Sequence, residues 1–261
     1  MSLILHCGAN ATDRAGLATL PPPRPLGARH HPIPFLHLVE RVQDHFGSIG
    51  ARLKDEAFGV LMSPGGAARR FFGLMEIELP DHRDSTYTLQ VGLRSSYDQS
   101  ISAGLAVGSR VTCCDNLALA GTVEFRTKNT TFIDHRVTGL IGQAVHRIPA
   151  MAESQSRFFA NMKNTTITQE QGDHLLIELT RRGALAPSQL GVAIREFDTP
   201  SYDEHGQLGW TAWRLFNACT QAVKYPNSPN ALGLTWARTQ ILIEFLDPDT
   251  IVEGENELKA A

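Results

Sequence analysis

Apolar residues recur along this chain at two different periods, and the change from one to the other divides it. Leu36, Val39, Val42, Phe46 and Ile49 fall three or four apart, which predicts a short amphipathic helix over 35–52. The pattern then tightens. Ala57 to Met62, Arg70 to Leu79 and Tyr87 to Leu93 are short apolar runs, and the second alternates towards Glu76 and Glu78. Ser63-Pro64-Gly65-Gly66 turns the chain between the first two, and residues 80–85 turn it before the third. Two further extended stretches, Arg110 to Cys114 and Thr122 to Arg126, complete an antiparallel meander of about five strands.

From Ile133 onward the helical rhythm returns and persists. Ile133, Val137, Leu140, Ile141, Ala144, Val145, Ile148, Met151, Ala152 and Phe159 line one long segment, which Pro149 should kink or split. Thr168 and Gln171 have capping-box spacing ahead of Leu175, Leu176 and Leu179. Further helices are expected at 187–196, 209–225 and 234–247. Before all of this, Pro21-Pro22-Pro23-Arg24-Pro25 and His30-His31-Pro32-Ile33-Pro34 exclude helix and predict an extended arm lying over the fold. Strands first and helices after indicate an α+β class: a strand meander in the N-terminal half packed by a long helix, then a mainly helical part. The expected division is 1–163, arm plus sheet plus long helix, and 164–261, a helical acidic region packed on the first as one unit.

Composition narrows the function classes. With 261 residues, 42% of them hydrophobic, the chain can bury a real core. No apolar run reaches the roughly 18–20 residues of a membrane helix, and the opening residues lack a secretory pattern, so a cytoplasmic protein without membrane contact is expected. Cys7, Cys113, Cys114 and Cys219 are too scattered for a disulfide framework. Adjacent thiols at 113 and 114 would point to opposite sides of a strand and cannot readily chelate one ion. Neither a metal nor a cofactor is expected, and the adjacent His30 and His31 read as solvent-facing. The net charge of −3 argues against a protein that coats duplex DNA through bulk charge. It is unevenly distributed: +1 over 1–50, +2 over 51–163 and −6 over 164–261.

Candidate chemistry concentrates in residues 93–121 and 126–131. Arg69, Arg70, Arg94, Arg110, Arg126, Lys128 and Arg136 fall on or beside the expected sheet and its exit into the long helix. If they converge they make a phosphate-tracking groove between sheet and helix. Arg94, Arg110, Arg126 and Lys128 would contact phosphates, and Tyr97 and Phe72 would stack bases. The competing reading has Asp98, Asp115 and Asn116 capping turns and pairing with Arg94 and Arg110. Asp98, Asp115 and Glu124 could also gather as a metal-dependent nuclease, though Arg126 cannot be deprotonated to activate water. Walker, GxGxxG, serine-elbow and HExxH motifs are absent, so a non-enzymatic role is favoured.

His6 to Ala9, Pro32 to Pro34, Phe71 to Leu74, Leu93 to Gly121 and Arg126 to Thr131 together resemble an uncharacterised phage/plasmid-like protein family carried by mobile elements. The similar order continues through Thr199 to Tyr225. Members usually read Asn-Ser-His-Asp where this chain has Ser95-Ser96-Tyr97-Asp98, and Lys-His-Thr near Lys128-Asn129-Thr130. Both departures replace a histidine and count against shared hydrolytic chemistry. The resemblance implies a mobile-element setting near DNA repair, recombination or anti-restriction functions. The element order also looks like that of single-strand annealing proteins. Two partners follow as expectations: single-stranded DNA, bound by a chain free to oligomerise, or a host defence protein engaged by the acidic last third.

Overall fold

A computed structural model describes residues 9–80, 87–111, 117–118, 124–223, 241–242 and 245–246, with the backbone alone at 109–111, 117–118 and 124. The class is α+β, an antiparallel sheet in the N-terminal half followed by a long helix and further helices. The strands are β1 (Asn10–Thr12), β2 (Arg52–Met62), β3 (Ala68–Glu78), β4 (Tyr87–Ser96), β5 (Ala103–Val111), β6 (Leu117–Ala118) and β7 (Glu124–Thr127). The helices are α1 (Arg14–Thr19), α2 (Phe35–Phe46), α3 (Ile133–Asn164), α4 (Gln169–Arg181), α5 (Pro187–Asp198), α6 (Asp203–Gly206) and α7 (Ala212–Ala222). None of the described helices is long and apolar enough to cross a membrane. The chain divides into two compact units. One holds β1 to β4, most of β5, β7, α1, α2 and α3 as far as Ala152; the other holds α3 from Glu153 and α4 to α7.

In the first unit the strands run β1-β2-β3-β4-β5 in order, and β7 pairs with β5. Register sorts their side chains into two sets. Val60 opposes Phe71 and Phe71 opposes Ser95, which places these three on one face. That face receives α2: the Phe35 ring stacks on Phe71 at 5.1 Å, and Leu38, Val39 and Val42 are buried behind it. Tyr87, on the same face, donates its hydroxyl to the Ala152 carbonyl of α3 at 3.2 Å. Arg41 joins α2 to the start of α3 through Asp134 at 2.8 Å.

Three sequence expectations shift. The first helix stops at Phe46 rather than 52, because a 3-10 turn (Gly47–Ile49) carries the chain to Gly50 at φ 67°, a left-handed position that suits glycine. β5 begins at Ala103, seven residues before the strand expected from Arg110; Ala103, Leu105 and Val107 are buried along it. Pro149 does not split α3. It removes one amide donor, while Val145, Ile148, Met151 and Ala152 keep a continuous buried face around it. Beyond Val111, the strand expected to run to Cys114 lies outside the described residues, as do Cys7, Cys113, Asp115 and most of 234–247.

The second unit follows its local signals closely. Thr168 and Gln171 form the capping box: the Gln171 amide donates to Thr168 Oγ1 at 3.2 Å, and the Thr168 amide donates to Gln171 Oε1 at 2.6 Å. Phe159, Trp213 and Phe216 cluster, with Phe159 edge-on to Trp213 at 5.2 Å. Cys219 is buried among apolar groups, and burial pushes its thiol far above the ordinary range, so it is inert packing. Arg214 is a buried charge, at 8% exposure. Its Nε donates to the Phe197 carbonyl at 2.6 Å and an Nη to the Asp198 carbonyl at 2.8 Å. These are terminal carbonyls of α5, where the helix dipole favours a cation. The guanidinium also lies 4.2 Å from the Trp210 ring centroid.

Arg214 therefore caps α5 from α7. Arg214→Ala is expected to destabilise the chain by about 2 kcal/mol, leaving two carbonyls unpaired. Arg181→Ala, which breaks only a surface pair to Glu178, should cost under about 0.5 kcal/mol. Urea denaturation of both variants checks the contrast, and equal losses would refute the capping role.

Candidate nucleic-acid interface

Directly opposed residues of antiparallel strands share a face, so register shows which predicted side chains meet. Phe72 on β3 opposes Arg94 on β4, and Gly104 on β5 opposes Arg126 on β7. The Arg94 side chain lies across Gly104: its Nε would be 3.4 Å from a Cβ at that position. The same Cβ would come within 2.9 Å of the Phe125 carbonyl, so only glycine fits here. Phe72, Arg94, Gly104 and Arg126 thus form one row across the sheet. Because neighbours alternate, this row points away from the Phe71 face that holds α2. The groove expected between sheet and helix is corrected on this ground to a row on the other face of the sheet. Further along the same face, Glu76 and Gln90 are buried and oppose each other. Arg126 is exposed and Arg94 half-buried, and both interact with other groups of the chain.

The two aromatic candidates do not present rings for stacking. Phe72 is only 8% exposed. Tyr97 is stacked on Phe35 with centroids 3.8 Å apart, and its hydroxyl oxygen accepts the Phe35 amide at 3.1 Å. Burial raises the Tyr97 pKa, while the Phe35 hydrogen bond opposes the rise. Tyr97 is structural because odd positions of β4 and its extension face α2, and Phe72, on the other face, is buried.

The loop from Tyr97 to Ser102 is tied down by polar contacts. Asp98 pairs with Arg69 and accepts from the Ser100 hydroxyl, and the Ser100 amide reaches Asp98 Oδ1 at 3.0 Å. Arg70 Nε donates to Ser100 Oγ at 2.7 Å. Asp98 does cap a turn, but with Arg69 as its partner rather than Arg94. Gln99 is left at φ 64°, a left-handed conformation that costs a side-chain-bearing residue on the order of 1 kcal/mol. Partial burial opposes the Asp98 charge, but the bonds from Ser100 and Arg69 outweigh it and hold the carboxyl down at about 2.

Lys128 lies beyond β7, at the wall of a cavity of about 570 Å³. Arg29 and His30 from the arm, Gln99 and Ser102 from the loop, and Asn129 complete most of its lining. The arm is laid down by a bridge between His30 and Thr130 and by the His31 amide donating to the Asn129 carbonyl at 3.1 Å. His30, expected in solvent, is 3% exposed because this bridge turns it inward. Its Nδ1 accepts the Leu26 amide at 3.0 Å, so the proton of the neutral ring sits on Nε2. Burial, then the charge of His31, lowers the His30 pKa and favours that neutral ring. Asn129 Nδ2 donates to the Ser96 carbonyl at 2.8 Å, which leaves its Oδ1 as an acceptor. His30 Nε2 and Asn129 Oδ1 are both buried without a hydrogen-bond partner.

Arg110 is on β5, but its side chain lies outside the described residues, as do those of Asp115 and Glu124. Of the proposed acidic trio, Asp98 is committed to Arg69. Among the described residues no group of three His, Cys, Asp or Glu side chains could hold a metal ion. Sequence reasoning placed Asn129 in the polar run Arg126 to Thr131 but missed Arg29 and His30 beside it, because the arm's docking is not encoded locally. No family model, curated protein or solved structure matches the chain.

The Asp98 geometry generates a pH test. The folded carboxyl stays charged to about pH 2, whereas an unfolded aspartate protonates near 3.9. Its stabilisation, on the order of 1–2 kcal/mol after screening by solvent, is complete above about pH 4 and lost as pH falls through about 2. Asp98→Asn should be destabilised by that amount at neutral pH, and the gap should close on acidification. Urea titrations at stepped pH measure it, and a gap independent of pH would contradict the assignment.

Proposed function

We propose that this chain binds single-stranded nucleic acid without catalysis, through the sheet face that carries Arg94, Gly104 and Arg126, within phage- or plasmid-type DNA metabolism. The observation that carries the reading is the register that sets Arg94 and Arg126 in one row on the two strands that flank β5. Two strand spacings, about 10 Å, separate β4 from β7, a separation that a flexible strand can meet by local adjustment of its phosphates. Gly104 between them leaves room for the Arg94 side chain to lie across β5. A short cationic row on a chain of net charge −3 suits one flexible strand better than a rigid duplex, which needs an extended basic surface.

With Phe72 and Tyr97 packed inside, affinity rests on phosphate contacts and little on base stacking. Binding is therefore weakly sequence-dependent and strongly salt-dependent. Each guanidinium already has an interaction within the chain, so binding exchanges one partner for another and the net gain per contact is modest. The mobile-element setting implied by the family resemblance is in keeping with this role, and so is the order of strand meander and long helix.

Fluorescence anisotropy with a labelled single strand at low salt is the test. Micromolar binding is expected, with a matched duplex binding more weakly. Arg126→Glu, at an exposed site, should weaken binding by about tenfold and flatten the salt dependence by about one phosphate contact. Absence of micromolar binding, or binding indifferent to Arg126→Glu in a variant that melts normally, overturns the proposal.

A further inference from the structure

The proline run of the arm takes no part in the cationic row, and its shape is set by its own covalent chemistry. Pro21, Pro22, Pro23 and Pro25 each fix φ at about −65°. Leu20, Pro21, Pro22 and Arg24 each precede a proline, which drives them to extended ψ. These restraints together select the polyproline II conformation, and Leu20 stands at φ −65° and ψ 137°. Both ends of the run are anchored. The Leu20 amide donates to the Leu17 carbonyl at 3.3 Å, and the Leu26 amide donates to His30 Nδ1 at 3.0 Å. Between these anchors, among the described residues, nothing hydrogen-bonds to residues 21–25 and Arg24 forms no ion pair.

A polyproline II helix has three residues per turn, so its side chains form three ridges. Leu20 and Pro23 make one ridge, and both are half-buried against the fold. Pro21 with Arg24, and Pro22 with Pro25, make the other two, and all four residues are exposed. Burial along the run therefore follows the three-residue period: one ridge is seated and two face outward. Grooves that read proline-rich segments take two adjacent ridges, entered by a pair of X-Pro units three residues apart. Pro21-Pro22 and Arg24-Pro25 are such a pair, and Pro23 between them is the residue turned inward. Leu26, 63% exposed, extends the apolar surface past Pro25.

The chemistry of a complement follows. Proline has no amide donor, so beyond Arg24 the run offers a phosphate backbone nothing to bind. What it presents is flat apolar rings, free carbonyl acceptors and one cation. Aromatic rings pack on the first, an indole or phenol donor meets the second, and a carboxylate meets the third. Because the rings and the two anchors already hold the conformation, little ordering is lost on docking. We propose that residues 20–26 are a docking segment for a protein module with an aromatic-lined, acid-edged groove of the SH3 type. This surface is separate from the row of Arg94 and Arg126 and does not rest on the nucleic-acid reading.

Titration of the full chain into a panel of isotope-labelled, isolated SH3 domains with acidic groove edges tests it, read by the domains' amide chemical shifts. At least one domain should bind with a Kd on the order of 100 μM, with shifts centred on its groove aromatics. Pro22→Ala with Pro25→Ala should weaken binding by about tenfold, and Arg24→Glu by a similar factor. Pro23→Ala, on the seated ridge, should change affinity by less than about threefold, and Arg126→Glu should leave it unchanged. Thermal melting of each variant checks that the fold is retained. Three results overturn the proposal. They are the absence of groove shifts with every domain at about 1 mM, a loss from Pro23→Ala equal to that of the outward prolines, and binding by a free peptide of residues 20–28 but not by the full chain.

Discussion

The stack of Tyr97 on Phe35 is the contact on which the architecture of the first unit turns. Pro34 precedes α2 and offers no capping oxygen, so the first amide of the helix would be left without a partner. Tyr97, brought up at the end of β4, supplies that oxygen and covers the Phe35 ring in the same movement. One side chain therefore satisfies a helix terminus, extends the aromatic layer that begins at Phe58 and Phe71, and ends the strand. Everything distal to it in the loop inherits its position. Asp98 turns back towards Arg69, and Ser96 closes the base of the loop by bonding both polar groups of Ile101.

A loop so dense in hydroxyls and charge could have been mobile and solvated. Here most of its polar atoms are matched, and the matches run to backbone or to β3 rather than to water alone. That organisation explains why the left-handed Gln99 is tolerated: neighbours on both sides fix the chain around it. It also sets the contrast with the cavity wall, where two groups remain unmatched. In a region otherwise closed in hydrogen-bonding terms, His30 and Asn129 stand out.

The parts of the fold that were legible in the amino-acid order are those governed by local period and local chemistry. The α2 face, the first strands, the Thr168–Gln171 box and the α+β order depend on residues within a few positions of each other. The site was less legible because its geometry is set by pairing between distant strands. Arg94, Arg126 and Phe72 could be named as candidates, but only register shows that they share a row and that Phe72 is packed away. Tyr97 reads as a surface aromatic until its partner, 62 residues away, is known. His30 reads as a polar loop residue for the same reason, because the bridge to Thr130 that buries it joins opposite ends of the unit.

The arm and the loop that wall the cavity are not independent bodies. His30 leads, through a segment stiffened by Pro32 and Pro34, directly into Phe35, while Gln99 follows Tyr97 by two residues. Both walls are thus hung from the same pair of stacked rings, one from each ring. The aperture between them has few degrees of freedom of its own: a displacement of one wall must travel through the stack and carry the other with it. Shape at this opening is inherited from the packing of α2 on the sheet, so changes in the apolar layer beneath would register at the cavity mouth without any lining residue being altered.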